Sequence, residues 1–426
     1  MCDQILNEYP EVDLVVRGEG EETLKDICLG IPAEKIPGIA FRREGGIVKT
    51  PPRAYVENLD NIPFPAWHLV DLHRYPSLET GSFRGIDFET TPRVSVVFSR
   101  GCVGQCTFCS TWRFWRGWRC RSASNMVAEL DLLYHEHGIR HFCFADDCMT
   151  VDRQATMKLC DEILKRDLRI AFHVTTRADA VDRELLVKLY EAGCYKIAYG
   201  VETGSKTLLE QMNKKSDVQT IERAIALTKE VGIRVTTLII IGNVGENDRT
   251  VEETRDFLYR TQPDGVGQVG GLWILPGTKL YRDAKKKGFI DDSFWLGKEP
   301  YKIYTLEHSE EELARYLDRI ASFREKRNVE QPMTTHQNRT DYSKLGENLA
   351  RKWQQYVFPE LQEYSASSEW EGVAAEHREL MTQLPSSCVE VLDLGCGDGL
   401  STNMCVALSG AEGDRRDTQH AGARTR

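Results

Sequence analysis

From about Arg93 to Gly288 the chain alternates between two kinds of segment, and this alternation limits the possible folds more than any other feature. Short apolar, β-type runs occur at 94–98, 142–145, 170–174, 196–201, 235–241 and 265–275. Between them lie segments patterned as helices, at 125–137, 153–166, 183–192, 218–231 and 251–260, with 278–287 after the last run. A side-chain period near two marks a strand, and one near 3.6 marks a helix. Gly138, Gly193, Gly232 and Gly288 fall where helices should stop. Strands joined through helices lie parallel, so six units of roughly 30 residues predict an α/β fold with one parallel sheet, curled or open. Six is too few for a full eight-stranded barrel. In such sheets ligands gather at the carboxyl ends of the strands, so chemistry is sought there.

The first strand runs into Ser99-Arg100-Gly101-Cys102-Val103-Gly104-Gln105-Cys106-Thr107-Phe108-Cys109-Ser110. Cys102, Cys106 and Cys109 stand at a C-x3-C-x2-C spacing short enough for one loop to wrap a metal cluster. Gly101 and Gly104 supply backbone freedom. A cubane [4Fe–4S] cluster takes thiolate ligands, and three of them leave one iron open, as catalysis requires. The competing reading is a zinc-binding, non-catalytic protein, which needs a fourth ligand; Cys120 is the candidate. Residues 112–121 are rich in Trp and Arg and suit either base stacking or packing beside a cofactor, with packing preferred.

The loop resembles the cluster loop of the radical S-adenosylmethionine (SAM) enzymes, whose motif is C-x3-C-x-aromatic-C. The resemblance implies a partial (β/α)6 TIM-like barrel, with Cys102, Cys106 and Cys109 holding a [4Fe–4S] cluster and Phe108 against the adenine of SAM. At the second strand end, Asp146-Asp147 either meets the SAM amino group or caps the next helix. At the third, Arg177 either holds the SAM carboxylate or pairs with Asp179. The fourth ends Gly200-Val201-Glu202-Thr203-Gly204-Ser205, similar to the family's ribose-binding string, which makes Glu202 the ribose ligand. The fifth ends Gly242-Asn243-Val244-Gly245-Glu246, similar to the turn that backs the adenine. Asn243-Val244 replaces the family's Leu-Pro, so a looser turn is expected, and Gly242 either serves the adenine or only lets the backbone turn. Thr278 is read as a helix cap, and Cys143 and Cys148 as buried, inert thiols.

Outside 93–290, residues 1–58 resemble the tail of the cobalamin-binding domain that precedes the cluster loop in one branch of this family. The resemblance rests on Arg17-Gly18-Glu19-Gly20-Glu21 and on the linker's Pro63-Phe64-Pro65. The branch's D-x-H-x-x-G motif is missing; the nearest match, around His73, ends in Pro76. Cobalamin is thus carried over as a cofactor of the branch without being placed on this stretch alone. Residues 59–92 read as a linker and 291–344 as a helical extension and linker. Residues 345–426 hold Val391-Leu392-Asp393-Leu394-Gly395-Cys396-Gly397-Asp398-Gly399, which resembles the first motif of class I SAM-dependent methyltransferases. With few residues after it, this segment is expected to be incomplete and inactive.

Net charge is −10, without a long Lys/Arg block, which disfavours nucleic acid as substrate. No apolar run approaches the roughly 20 residues of a membrane span, and no secretory signal opens the chain. Thirteen scattered cysteines point to reduced thiols and the cytoplasm. The resemblance implies reductive cleavage of SAM to a 5′-deoxyadenosyl radical for methylation or rearrangement of a small-molecule or lipid substrate. A flavodoxin- or ferredoxin-type protein would supply the electron. A methylthiotransferase acting on RNA or protein is the second enzyme reading.

Overall fold

The computed structural model describes residues 2–74, 77, 79–296, 302–325, 390–394 and 404–408. Residues 326–389, 395–403 and 409–426, and with them part of the linker that runs to 344, most of the methyltransferase-like segment and its Gly395–Gly399 turn, lie outside the described residues. The chain forms two compact units, one holding 1–55 with parts of the C-terminal region, the other built on 56–372.

The larger unit contains the parallel sheet. Its strands are β1 (Arg93–Val96), β2 (His141–Phe144), β3 (Ala171–Thr176), β4 (Cys194–Glu202), β5 (Arg234–Ile241) and β6 (Gly265–Gly271). They lie in chain order, each parallel to its neighbour, and among the described residues β1 and β6 are the free edges of an open sheet. One long helix fills each crossover, namely α1 (Ala123–Glu136), α2 (Arg153–Lys165), α3 (Arg183–Ala192), α4 (Val218–Val231) and α5 (Asp248–Thr261), with shorter helices Thr111–Trp115 and Lys206–Gln211 ahead of α1 and α4. Helix α6 (Lys279–Lys286) follows β6. Each of α1 to α6 starts on a side chain that accepts a hydrogen bond from an otherwise unpaired N–H: Ser122, Asp152, Asp182, Asp217, Asn247 and Thr278. The last strand is shorter than expected, ending at Gly271, and Trp273 then bridges to Ile303.

Burial explains the layering. Along β5, Val235, Thr237, Ile239 and Ile241 are buried while Arg234, Thr236, Leu238 and Ile240 are less so. The period of two separates a helix-covered face from a concave one. On the covered face Phe142, Phe144, Phe172, Ile197, Val235 and Ile239 join Leu130, Leu159, Leu186, Ile225 and Phe257 of the helices in one core. Each buried side chain of this size contributes about 1.5–3 kcal/mol relative to exposure, which outweighs the weak helix propensity of any single segment. Residues 82–87 form a two-stranded hairpin, and Phe83, Ile86 and Phe88 pack against Ala171 and Tyr195 at the amino end of the sheet.

In the smaller unit Leu14–Val16 pairs antiparallel with Ile39–Arg43, which pairs with Gly46–Lys49. Helix Glu21–Cys28 joins the first two, and Val16, Ile27, Ile36, Ile39 and Phe41 form the core. Helix Cys2–Glu8 was not expected. The described C-terminal strands, Glu390–Leu394 and Met404–Leu408, extend this sheet to five, with Met404–Leu408 beside Leu14–Val16. His73 is exposed, and its Nε2 lies 3.0 Å from the carbonyl of His137.

Candidate functional site

The cysteine loop leaves the carboxyl tip of β1. Its root is a short strand, Ser99–Gly101, paired antiparallel with Trp118–Cys120, and helix Thr111–Trp115 lies between the two. At Gly101 (φ +96°) an added Cβ would lie 1.9 Å from the Gly117 carbonyl oxygen, so only glycine lets the two arms of this hairpin approach. Cys120 packs its side chain against the main core.

Two carboxylates from the tip of β2 hold this root. Buried Asp146 accepts from the Phe98 N–H at 3.2 Å and from both the N–H and the hydroxyl of Ser99. Asp147 accepts from the Gly101 N–H at 3.1 Å and the Thr111 hydroxyl at 3.1 Å. Burial pushes Asp146 up to about 7 in spite of these donors. The alternative role as a helix cap does not hold: Asp152 caps α2.

Two of the three sulfurs, those of Cys102 and Cys106, meet at the middle of the loop. A Cβ added to Gly104 would sit 2.9 Å from Arg177 Nη1, 3.4 Å from Cys102 Sγ and 3.8 Å from Cys106 Sγ. Gly104 also donates its N–H to Cys102 Sγ at 3.3 Å. Cys102 is drawn down to about 6, first by a hydrogen bond from the Cys148 thiol and then by Gly104, Arg177 and Lys214 against the cost of burial. Burial raises Cys106 and pushes Cys109 up to about 11. Cys148 is buried, as read from the sequence, with its sulfur 3.3 Å from the Thr176 hydroxyl, and its neighbour Cys102 and burial hold its thiol well above the ordinary value. Among the described residues, no three His, Cys, Asp or Glu side chains are grouped as ligands of one metal ion.

Behind the thiols stand two cations. Arg177 grips Asp179 bidentately, at 2.8 and 2.6 Å, and donates to the Lys214 carbonyl at 2.8 Å. Of its two proposed partners, the structure thus shows Asp179, while Nη1 faces the loop. Glu202, at the tip of β4, holds Lys214 Nζ at 2.6 Å, and both are buried. Burial would lower Lys214, but Glu202 and Cys106 more than offset it and hold it above its ordinary value. Glu202 has φ +68°, at a register shift in the β4–β5 pairing, so its backbone is strained toward this position. A Cβ on Gly200 would come 2.8 Å from Glu202 Oε1, and one on Gly204 would come 2.5 Å from Phe257 Cβ. The glycines of this string therefore make room for the carboxylate on one side and for α5 on the other.

Lys214 was not legible from the sequence. It sits in a polar turn, Met212-Asn213-Lys214-Lys215, where an unburied lysine is the ordinary expectation.

At the tip of β5 the turn closes on a buried carboxylate. Glu246 Oε2 accepts the N–H groups of Gly242 at 2.6 Å and Asn243 at 2.9 Å, so a buried carboxylate does the closing. Burial pushes Glu246 up to about 7. Gly242 (φ +86°) lets Leu313 approach, since a Cβ there would lie 2.7 Å from Leu313 Cδ2. Phe108 packs at the other edge, against the small core of Leu272, Ile274, Leu280 and Tyr281 beyond β6. Thr278 is the cap of α6, as read from the sequence.

A model of the Radical SAM superfamily matches residues 96–258. Over 364 residues the chain is 29% identical to an anaerobic magnesium-protoporphyrin IX monomethyl ester cyclase of Rubrivivax gelatinosus, covering 80% of this chain and 62% of that one. Among solved structures, a cobalamin-dependent S-adenosylmethionine radical enzyme, OxsB, superposes with a TM-score of 0.60 at 19% identity, covering 89% of this chain and 61% of that one. The radical S-adenosylmethionine methyltransferase TsrM from Kitasatospora setae does so with a TM-score of 0.53 at 22% identity, covering 67% and 56%. The six-stranded parallel sheet is thus the partial barrel of a radical SAM fold. Residues 96–258 thus carry a radical SAM domain, and the proteins similar to this chain include an anaerobic cyclase in sequence and, in fold, a radical S-adenosylmethionine methyltransferase and a cobalamin-dependent S-adenosylmethionine radical enzyme. It spans about half to three-fifths of the length of the first curated relatives it matches, with 62%, 48%, 62% and 58% of their lengths covered.

Proposed function

We propose that this chain is the catalytic part of a radical SAM enzyme that methylates or rearranges a small molecule or lipid in the cytosol. The observation that carries the reading is the convergence of Cys102 and Cys106 with Arg177, Lys214 and Glu202 at one tip of the sheet. Cys102, Cys106 and Cys109 fit a [4Fe–4S] cluster, because three thiolates on a glycine-bearing loop match its donor chemistry. When bound, the cluster supplies one electron to the SAM sulfonium, giving methionine and a 5′-deoxyadenosyl radical.

The chain's own residues bind and orient. Arg177 and Lys214 stabilise the thiolate charge from behind. Glu202 is the carboxylate for the ribose hydroxyls, and it exchanges part of its grip on Lys214 for them. Phe108 and the Gly242 turn take the two sides of the adenine. Asp146 and Asp147 act indirectly, by fixing the loop's root through its backbone. The likeness in fold to a cobalamin-dependent S-adenosylmethionine radical enzyme and the N-terminal resemblance favour the cobalamin branch for the whole protein.

The test is anaerobic reconstitution with iron and sulfide, then SAM and a reductant, with 5′-deoxyadenosine as readout. Its appearance supports the reading. A protein that takes up zinc tightly and assembles no cubane would sink it.

A further inference from the structure

Hydrogen-bond register sorts the concave face of the sheet into rows that run across the strands. One row is Ser95, Cys143, His173, Lys196 and Arg234, each paired with the next. The row above it, toward the carboxyl tips, is Thr175, Ala198, Thr236 and Gly265. A third, Gly200, Leu238 and Gly267, leads up to Glu202. Rows two residues apart stand about 7 Å from one another. In a filled barrel the middle layer carries large branched side chains. Here it carries small ones, and Ala198, Thr236 and Gly265 are only half-buried although Ile197 and Val235 on the opposite face are fully buried. An alanine on an inner strand keeps contact with solvent only where nothing large stands over it. Open space therefore separates the tip of the sheet from the charged row below.

The charge on that floor is unbalanced. Burial works to raise Glu79, but Lys196, Arg93 and Arg234 together hold it below its ordinary value, so three cations act on one carboxylate. Lys196 pairs with Glu79, and Arg93 lies 3.8 Å from it. Arg234 has no carboxylate of its own among the described residues; its guanidinium stands 4.9 Å from the centre of the Tyr195 ring and 5.7 Å from that of Phe88. His173 Nδ1 lies 3.2 Å from the Tyr195 hydroxyl, and its Nε2 has no hydrogen bond among the described residues. Half-buried cations in excess of their carboxylate draw an anion into a cleft. We propose that this floor takes the anionic end of the substrate, a carboxylate or a phosphoryl group, on Arg234, Lys196 and His173 Nε2. The inference rests on the radical SAM reading and names the substrate class of that same site. The planar fork of an arginine matches either oxyanion bidentately. The small rows leave the lumen to the rest of the molecule. Lys196 and Glu202 stand about 20 Å of strand apart on β4, so the carbon that reacts lies far along the molecule from its anionic group.

The experiment is anaerobic isothermal titration of the reconstituted full chain with four probes: octyl phosphate, octanoate, octanol and octyltrimethylammonium. The two anions should bind about tenfold or more tighter than octanol, and the cation should not bind. Arg234→Gln should weaken both anions roughly 10- to 100-fold and leave octanol unchanged, and Arg234→Lys should recover most of the loss. Ala198→Phe fills the small row above intact cations and should abolish binding of both anions. A preference for octyl phosphate assigns a phosphoryl group to the substrate, and a preference for octanoate assigns a carboxylate. Octanol or octyltrimethylammonium binding as tightly as the anions overturns the proposal, and so does Arg234→Gln binding them like wild type. Anion binding that survives Ala198→Phe also overturns it, because the anions then do not enter through the lumen. Should Arg234→Gln fail to fold, the wild-type preference among the probes and the Ala198→Phe block still decide the matter. A chain that assembles no cubane and makes no 5′-deoxyadenosine overturns the radical SAM reading; the titrations need no turnover and are read apart from that outcome.

Discussion

The two ends of the parallel sheet both bury charge, yet they use it differently. At the amino end Glu79 pairs with Lys196 and lies 3.8 Å from Arg93. The Tyr195 hydroxyl stands 2.9 Å from His141 Nε2 and 3.2 Å from His173 Nδ1. Phe88 stacks on His141 with ring centres 4.4 Å apart, and Arg234 covers the Tyr195 ring at 4.9 Å. These groups face one another and a plug of aromatic rings. At the carboxyl end, Lys214 and Arg177 face the thiols of a loop held by its backbone. Shifted ionisation marks both ends, so it does not by itself separate a site from a packed polar core. Strand direction and the nature of what the charges face do separate them.

Four changes would break or sharpen that contrast. The largest effect belongs to Cys106→Ala, which should abolish 5′-deoxyadenosine formation and cubane assembly, read by product chromatography and iron content. Retained activity would move the site away from this loop. Glu202→Ala comes next: SAM affinity, measured by equilibrium dialysis, should fall roughly 10- to 100-fold. It also strands Lys214 as a buried cation, with a stability cost of about 3–5 kcal/mol in urea unfolding. SAM binding equal to wild type would leave Glu202 a purely structural partner of Lys214.

At the other end Tyr195→Phe removes the hydroxyl shared by two histidines. It should lower stability by about 1–3 kcal/mol while leaving the Kd for SAM unchanged. A large change in that Kd would mean that the two ends are coupled.

The smallest effect is a slope. Burial, with Arg93 next, holds His141 down at about 3, and burial holds His173 well below its ordinary value. Both stay neutral in the folded protein, whereas the unfolded chain takes up protons near pH 6.5. Their contribution is therefore complete above about pH 6.5 and is lost as pH falls toward the folded values, by up to about 1.4 kcal/mol per pH unit for each histidine. Asp146 and Glu246, both pushed up to about 7, act in the opposite sense, gaining as pH falls through that value. The wild-type-minus-variant difference for His141→Phe isolates the histidine: the variant should lose less stability than wild type between pH 7 and pH 5. Parallel curves would show that His141 carries no linked proton.

Local signals made the core of this fold legible. All six barrel strands and their helices lie within a few residues of the runs that predict them, because side-chain period and capping residues act over one or two turns of chain. The two-stranded root at Ser99–Gly101 and the hairpin at 82–87 were not legible, since pairs two or three residues long carry no period. The cysteine spacing and the Gly200–Ser205 string announced their positions for the same local reason. Their partners did not. Asp146 and Asp147 read equally well as ligands or as a cap until the loop's N–H groups were found on them.

By itself, then, the amino-acid sequence determined the order of strands and helices, the loop that carries three thiols, and the carboxylate at the fourth strand tip. Only the tertiary structure decided that Lys214 pairs with Glu202, that Arg177 closes on Asp179, that Cys148 leans on Cys102, and that Glu246 ties the fifth turn. The reason is physical. A period or a cap is satisfied by neighbours along the chain, whereas a buried charge must find whatever opposite charge or donor folding brings beside it.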